Sequence, residues 1–357
     1  MAIAKPLFDV GKARQSIEKG RRAKWWKRRG SMKSGFHYVD AAGKKITDEA
    51  HLERIRSLVI PPAWKHVRIA PTPGCRIQAV GMDTTGRVQY LYNAKFAARQ
   101  QAKKFSRIVE FGSYLPQLRH VTNEHIMLDG FPREKVLAIM TRLINSLYFR
   151  VGTEKSAKHY RTYGITTLQN KHLTIGKKGE LVFDFVGKSH VKHRKVLVDE
   201  ELAALMADLK SLGKARKLFN YLNGDGKPSP VRPGELNSYI KEATHSSFSA
   251  KDLRTWAGTL LASVQLAELG CCDDERLIKK NIVSAVKKVA EELGNTPSVC
   301  RGSYIHPTVI KAYEKGKTLE HFTRKTKRKI RKIQPELDDD EKALLNLLTT
   351  FTVRNGS

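Results

Sequence analysis

The spacing of apolar positions changes twice along this 357-residue chain. Residues 35–46, GFHYVDAAGKKI, alternate apolar and polar and predict a β-hairpin turning at Gly43. Residues 75–93, CRIQAVGMDTTGRVQYLYN, predict a second hairpin that turns over residues 83–86. Beyond Asn93 the period becomes helical. Residues 94–121 and 133–149 carry apolar side chains at three and four spacing, with Val136, Ile139, Met140, Leu143 and Leu147 as the clearest stripe. One β interlude follows at residues 172–187, HLTIGKKGELVFDFVG, alternating around Gly176 and Gly179. Helical spacing then resumes in residues 199–212, 232–244, 250–269 and 275–293, and again in the acid-capped LDDDEKALLNLL at 337–348.

These patterns predict an α+β protein with no internal repeat. A small N-terminal antiparallel β-rich domain spans residues 1–95. A larger, mainly α-helical domain containing a short β-hairpin spans 96–322, and a basic, helical tail spans 323–357.

Charge narrows the function. The chain has 66 Lys and Arg against 35 Asp and Glu, a formal net charge of +31. Such an excess repels itself in a folded protein and is matched best by a polyanion, so nucleic acid is the expected partner, although ribosomal association or an acidic membrane surface would give the same sum. Two stretches concentrate it: residues 12–34, read as a basic arm with Trp25 and Trp26 among the cations, and RKTKRKIRK at 324–332. No long apolar span or signal-peptide core appears, so a membrane partner is not expected and a cytoplasmic location is, nucleoid-associated if the source is bacterial. Cys75, Cys271, Cys272 and Cys300 lack the paired spacing of a zinc site and are expected as reduced thiols, Cys300 as an apolar filler.

A polyanion partner raises the chemistry of phosphodiesters. Attack at phosphorus needs a nucleophile, cationic or neutral donors facing the equatorial oxygens, and an acid for the departing oxygen. No carboxylate cluster of the two-metal kind and no GxxxxGK[ST] loop is present, so neither metal nor nucleotide cofactor is expected.

Six blocks supply the missing pieces. They are IPPAW at 60–64, GRVQYLY at 86–92, FRVGTEKSAKHYRTYGITTL at 149–168, FVGK at 185–188, KDLRTWAGT at 251–259 and GNTPSVCRGSY at 294–304. In this order the chain resembles a type IB DNA topoisomerase of the poxvirus and bacterial branch, over residues 35 to 322. The resemblance implies the tyrosine recombinase/topoisomerase IB-like catalytic fold for the larger domain. It also implies a monomer that nicks one strand of double-stranded DNA through a 3′-phosphotyrosine, lets the duplex swivel and reseals it without ATP or metal.

Carried over residue by residue, the family's two catalytic arginines fall on Arg150 and Arg254, its lysine on Lys188 and its nucleophile on Tyr304. Gln89, Tyr90 and Tyr92 fall on its DNA-contacting strand. Nine residues before the tyrosine, where the poxvirus enzymes have histidine, this chain has Asn295, which can donate an N–H to a phosphate but cannot become cationic. Two other readings stay open on the residues alone. A tyrosine recombinase shares the nucleophile and arginines, although Lys251 stands where its H-x-x-R pattern begins, and an architectural DNA-binding protein would share the charge.

Overall fold

The computed structural model describes residues 9–212, 216–321 and 335–353, with side chains to residue 351. The basic run at 324–332 lies outside the described residues. The chain divides into two compact units, Met1–Lys104 and Phe105–Ser357.

In the first unit, five antiparallel strands form a sheet in the order β2-β1-β3-β4-β5. They are β1 (Trp26–Ser31), β2 (Gly35–Val39), β3 (Lys65–Ile69), β4 (Ile77–Met82) and β5 (Val88–Tyr92). The hairpin predicted at 75–93 is β4–β5. Residues 35–46 behave differently: β2 pairs mainly backwards with β1, and the expected partner strand shrinks to a single bridge between Val39 and Lys45.

Residues 12–34 are therefore not an arm, and the reason is local. Helix α1 (Val10–Ile17) is capped by Asp9 and turns Val10, Ala13 and Ile17 onto one face, against Val80, Met82, Val88 and Tyr90. Trp26 is buried with Ile55 of helix α2 (Glu49–Ser57) on the opposite sheet face. The cations take defined partners: Arg68 pairs with Glu18. Arg28 donates to the carbonyls of Pro61 (3.1 Å), Pro62 (3.2 Å) and Trp64 (2.6 Å), which gives the IPPAW block a structural use.

The second unit is mainly helical. It begins within α3 (Ala94–Ile126) and continues through α4 (Arg133–Leu147), α5 (Glu154–Tyr160), α6 (Glu200–Ser211), α7 (Pro233–Thr244), α8 (Ala250–Leu269), α9 (Glu275–Leu293), α10 (Pro297–Ser303), α11 (Pro307–Glu314) and α12 (Asp339–Val353). Helix α4 is buried on every side from Val136 to Met140, because it runs between α7, α8 and two strands. The acid-capped α12 sends Leu344, Leu347 and Leu348 into the same core, and its buried Glu341 accepts both Arg119 donors at 2.7 and 2.8 Å.

The predicted hairpin at 172–187 forms as β6 (Leu173–Ile175) and β7 (Glu180–Val186). A third strand, β8 (Lys192–Val198), joins β7 along its whole length. A short pair, β9 (Asn220–Leu222) and β10 (Pro228–Pro230), completes the strands among the described residues. No helix among the described residues is long and apolar enough to cross a membrane. All four cysteines are free, and burial pushes the Cys300 thiol up to about 11.

Candidate active site

The stretch from α9 to α11 builds the site around its chain reversals. Helix α9 ends in a Schellman turn: Gly294 takes the left-handed conformation (φ 61°), the Asn295 N–H returns to the Ala290 carbonyl at 2.8 Å, and the Gly294 N–H reaches Glu291 at 3.0 Å. Asn295 is thereby fixed two residues past the helix end, directly after the Gly294 cap. Thr296 caps α10 and Pro297 occupies its first turn. Tyr304 sits half-exposed at the C-terminal end of α10, its N–H bonded to the Cys300 carbonyl at 2.8 Å, just before His306 caps α11.

Arg254 approaches Tyr304 from α8. The N-terminus of that helix is set by Asp252, which accepts from the Ser249 N–H at 2.9 Å and from the Ser249 hydroxyl at 2.8 Å. One turn in, Arg254 is 4 % exposed and its guanidinium carbon lies 5.4 Å from the Tyr304 ring centroid. Its Nη2 donates to the Leu293 carbonyl at 2.9 Å. Burial, then the nearby Arg150, pull its pKa down to about 10, while Tyr304 opposes the shift, so it is cationic at neutral pH.

Arg150 arrives on an extended segment pinned by its own carbonyl, which accepts the Ile165 N–H at 2.7 Å. Gly164 must be glycine here, since a Cβ would sit 2.5 Å from the Arg150 carbonyl oxygen. The Arg150 Nη2 donates to the Gly294 carbonyl at 2.6 Å and to Asn295 Oδ1 at 2.5 Å. Its pKa is lowered by burial, with Tyr304 pulling the other way.

Four of the five predicted catalytic residues thus converge: Arg150, Arg254, Asn295 and Tyr304. Two donors in this cluster, Arg254 Nε and Asn295 Nδ2, are buried without a hydrogen-bond partner among the described residues. Buried N–H groups of this kind suit an anion. Lys188 stands apart. It lies exposed on the tight turn between β7 and β8, where the Gly187 N–H bonds the Val191 carbonyl at 2.8 Å, and it takes part in no hydrogen bond or ion pair with the other four among the described residues.

Both sequence models that match the chain are topoisomerase models. Residues 93–332 match the family described as eukaryotic DNA topoisomerase I, catalytic core, and residues 35–83 match the bacterial DNA topoisomerase IB N-terminal domain. DNA topoisomerase 1B of Acanthamoeba polyphaga mimivirus is 30 % identical over 286 residues, covering 78 % of this chain and 84 % of the relative. That of Vaccinia virus (strain Copenhagen) is 24 % identical over 257 residues, covering 70 % and 77 %. The chain belongs to the type IB DNA topoisomerases. Neither the recombinase nor the architectural reading is favoured beside two topoisomerase matches that together span most of the described residues.

Within this topoisomerase, several residues that hold the cluster escaped the sequence reading. Thr259 Oγ1 accepts the His306 N–H at 3.1 Å and shares its single proton between the Thr255 carbonyl at 2.8 Å and the Tyr304 carbonyl at 3.2 Å, bracing the tyrosine from α8. At Gly258 a Cβ would lie 2.7 Å from the Tyr304 carbonyl oxygen, so the close approach of α8 needs its absence. Arg254, Gly258 and Thr259 share a block at four and five spacing, a helical face that was visible in KDLRTWAGT. His193 of β8 had no such signal.

The three predicted DNA-contacting residues all lie on β5 in the first unit. The Gln89 amide donates to Asp83 at 2.8 Å. Tyr90 packs toward α1 with Arg22 over its ring at 5.9 Å, and Tyr92 is 48 % exposed, its ring 6.2 Å from that of Tyr90.

Proposed function

We propose that this topoisomerase cleaves one strand of duplex DNA by attack of the Tyr304 phenolic oxygen on a backbone phosphorus, the phenolic proton passing to solvent water at this half-exposed side chain. The P–O5′ bond breaks as the tyrosyl P–O bond forms, giving a 3′-phosphotyrosine and a free 5′-hydroxyl. Arg150, Arg254 and the Asn295 amide stabilise the charge that gathers on the equatorial oxygens. Lys188 delivers the proton to the departing 5′ oxygen. The nicked duplex swivels about its intact strand, and the 5′-hydroxyl reverses the reaction. Bond energy stays in the covalent link, so no nucleotide is consumed, and torsion of either sign is relaxed.

The observation that carries this reading is the clustering of Arg150, Asn295 and Arg254 at Tyr304, with two buried N–H donors that have no hydrogen-bond partner among the described residues. Gln89, Tyr90 and Tyr92 are assigned to contact duplex DNA, two phenols and an amide on a β ribbon being suited to groove edges and phosphates. The protein is assigned as a cytoplasmic monomer. The test is relaxation of positively and negatively supercoiled plasmid with chelator present and nucleotide absent. Relaxation of both is expected, falling steeply with salt as phosphate contacts displace counterions. Loss of activity under chelation, or a strict requirement for nucleotide, overturns the mechanism.

A further inference from the structure

His193 points inward from β8 and is buried to 9 % exposure. Its ring stacks on Phe185, with centroids 5.1 Å apart and planes inclined by 22°. Two backbone segments close on the edges of this ring. A Cβ on Gly187 would lie 2.6 Å from both Cδ2 and Nε2, and a Cβ on Gly294 would overlap Cε1. Gly187 opens the turn that carries Lys188, and Gly294 is the α9 cap whose carbonyl and following residue, Asn295, hold Arg150. The imidazole occupies the space of two missing methyl groups: it accounts for the glycine at 187, and at 294 it adds to the left-handed backbone that already calls for one.

We propose that His193 is a positioning residue that sets the separation between the Lys188 turn and the Gly294–Asn295–Arg150 grip. The inference rests on the reading of Lys188 as the general acid. A proton must reach O5′ as the P–O5′ bond breaks, so a turn that shifts by an ångström loses the transfer while the arginine grip survives. The ring is well chosen as a spacer, because it adds no charge beside the cations that face it. Burial, then Arg150, Lys195 and Arg254, hold its pKa down at about 4.

Sulfur substitution separates this role from a merely structural one. When the bridging 5′ oxygen is replaced by sulfur, the leaving group is a thiolate, whose conjugate acid has a pKa of about 8.5 against about 16 for water-like alcohols, and it departs without an acid. Single-turnover cleavage of both substrates is measured for the parent, Lys188→Ala, His193→Ala, His193→Gln and Gly187→Ala, with DNA affinity alongside. His193→Ala is expected to slow the oxygen substrate roughly ten- to a hundred-fold, part of the 10²–10⁴ a general acid supplies, to leave affinity unchanged, and to recover to within a few-fold on sulfur. Gly187→Ala, which drives a methyl against the ring, should show the same oxygen-specific defect, and should cost nothing further in the His193→Ala background.

If Lys188→Ala recovers on sulfur but His193→Ala stays slow, His193 does not act through the acid and the proposal falls. If Lys188→Ala itself fails to recover, the acid role of Lys188 is wrong, and the glycine cycle then decides the spacing: additive effects of Gly187→Ala and His193→Ala overturn the wedge. Should His193→Ala not fold, His193→Gln and Gly187→Ala carry the same comparison.

Discussion

Arg150 Nη2 donates to Asn295 Oδ1 at 2.5 Å, and this bond orients the amide. Because a guanidinium can only donate, the oxygen must face Arg150 and the NH2 group must face away from it, where it has no protein partner among the described residues. One arginine thereby presents a second residue's donor. Asn295→Ala should slow single-turnover cleavage by roughly ten- to a thousand-fold, the scale of removing one oxyanion donor, with DNA affinity nearly unchanged. Asn295→Asp keeps the acceptor for Arg150 but replaces the donor by a carboxylate oxygen, so it should be slower than alanine. Asn295→His should recover much of the rate, one ring nitrogen accepting from Arg150 and the other donating. Full activity in Asn295→Ala would reduce this residue to a turn former.

Tyr304→Phe removes one oxygen and keeps the ring under Arg254. Binding to duplex DNA should persist, while the protein-linked band on denaturing gels disappears. A 3′-linked adduct that survives the substitution would point to another nucleophile.

Gly258→Ala tests the fit of α8 against the tyrosine. The added methyl would lie 2.7 Å from the Tyr304 carbonyl oxygen and 3.0 Å from Leu293 Cδ1, so the backbone that carries the nucleophile must move. Overpacking of this kind costs about 1–3 kcal/mol of stability. Cleavage should slow by more than DNA binding weakens, and covalent-complex formation against affinity measures the split. Equal losses in both would place the damage in the fold at large.

How far these features could be read in the sequence depended on whether they were local. Helix α9, the β4–β5 hairpin and the acid-capped α12 follow from spacing and turn chemistry within their own segments. The converging residues were named because they sit in ordered blocks. What stayed hidden was long-range. The basic arm at 12–34 concealed most of α1 and all of β1, since charge dominated its composition while three apolar side chains, Ala13, Ile17 and Trp26, decided its packing. Strand β8 reads KHRKVLV, polar on both faces at its start, because His193 and Lys195 turn inward to meet the end of α9, and Lys195 donates to the Glu292 carbonyl at 2.6 Å. Nothing within β8 announces that partner.

A histidine away from the reacting atoms ties the stability of the fold to pH. His172 is buried, its ring 4.4 Å from that of Tyr163, and its Nδ1 accepts the Gln169 N–H at 3.0 Å. Burial, reinforced by Lys171 and opposed by Asp184, lowers its pKa to about 4. In the unfolded chain the same group titrates at about 6.5, so between these values the unfolded state binds more protons than the folded one. Stability from this group is therefore complete above about pH 6.5 and is lost as pH falls toward 4, with a limiting slope of about 1.4 kcal/mol per pH unit. His172→Asn can still accept from the Gln169 N–H through its side-chain oxygen but does not titrate. Denaturant unfolding from pH 7 to pH 4 should show the variant less stable at neutral pH through lost packing, yet shallower in its decline by up to that slope. Parallel curves for parent and variant would mean that the histidine is protonated as readily in the fold as outside it, and that its burial does not govern the acid sensitivity of this unit.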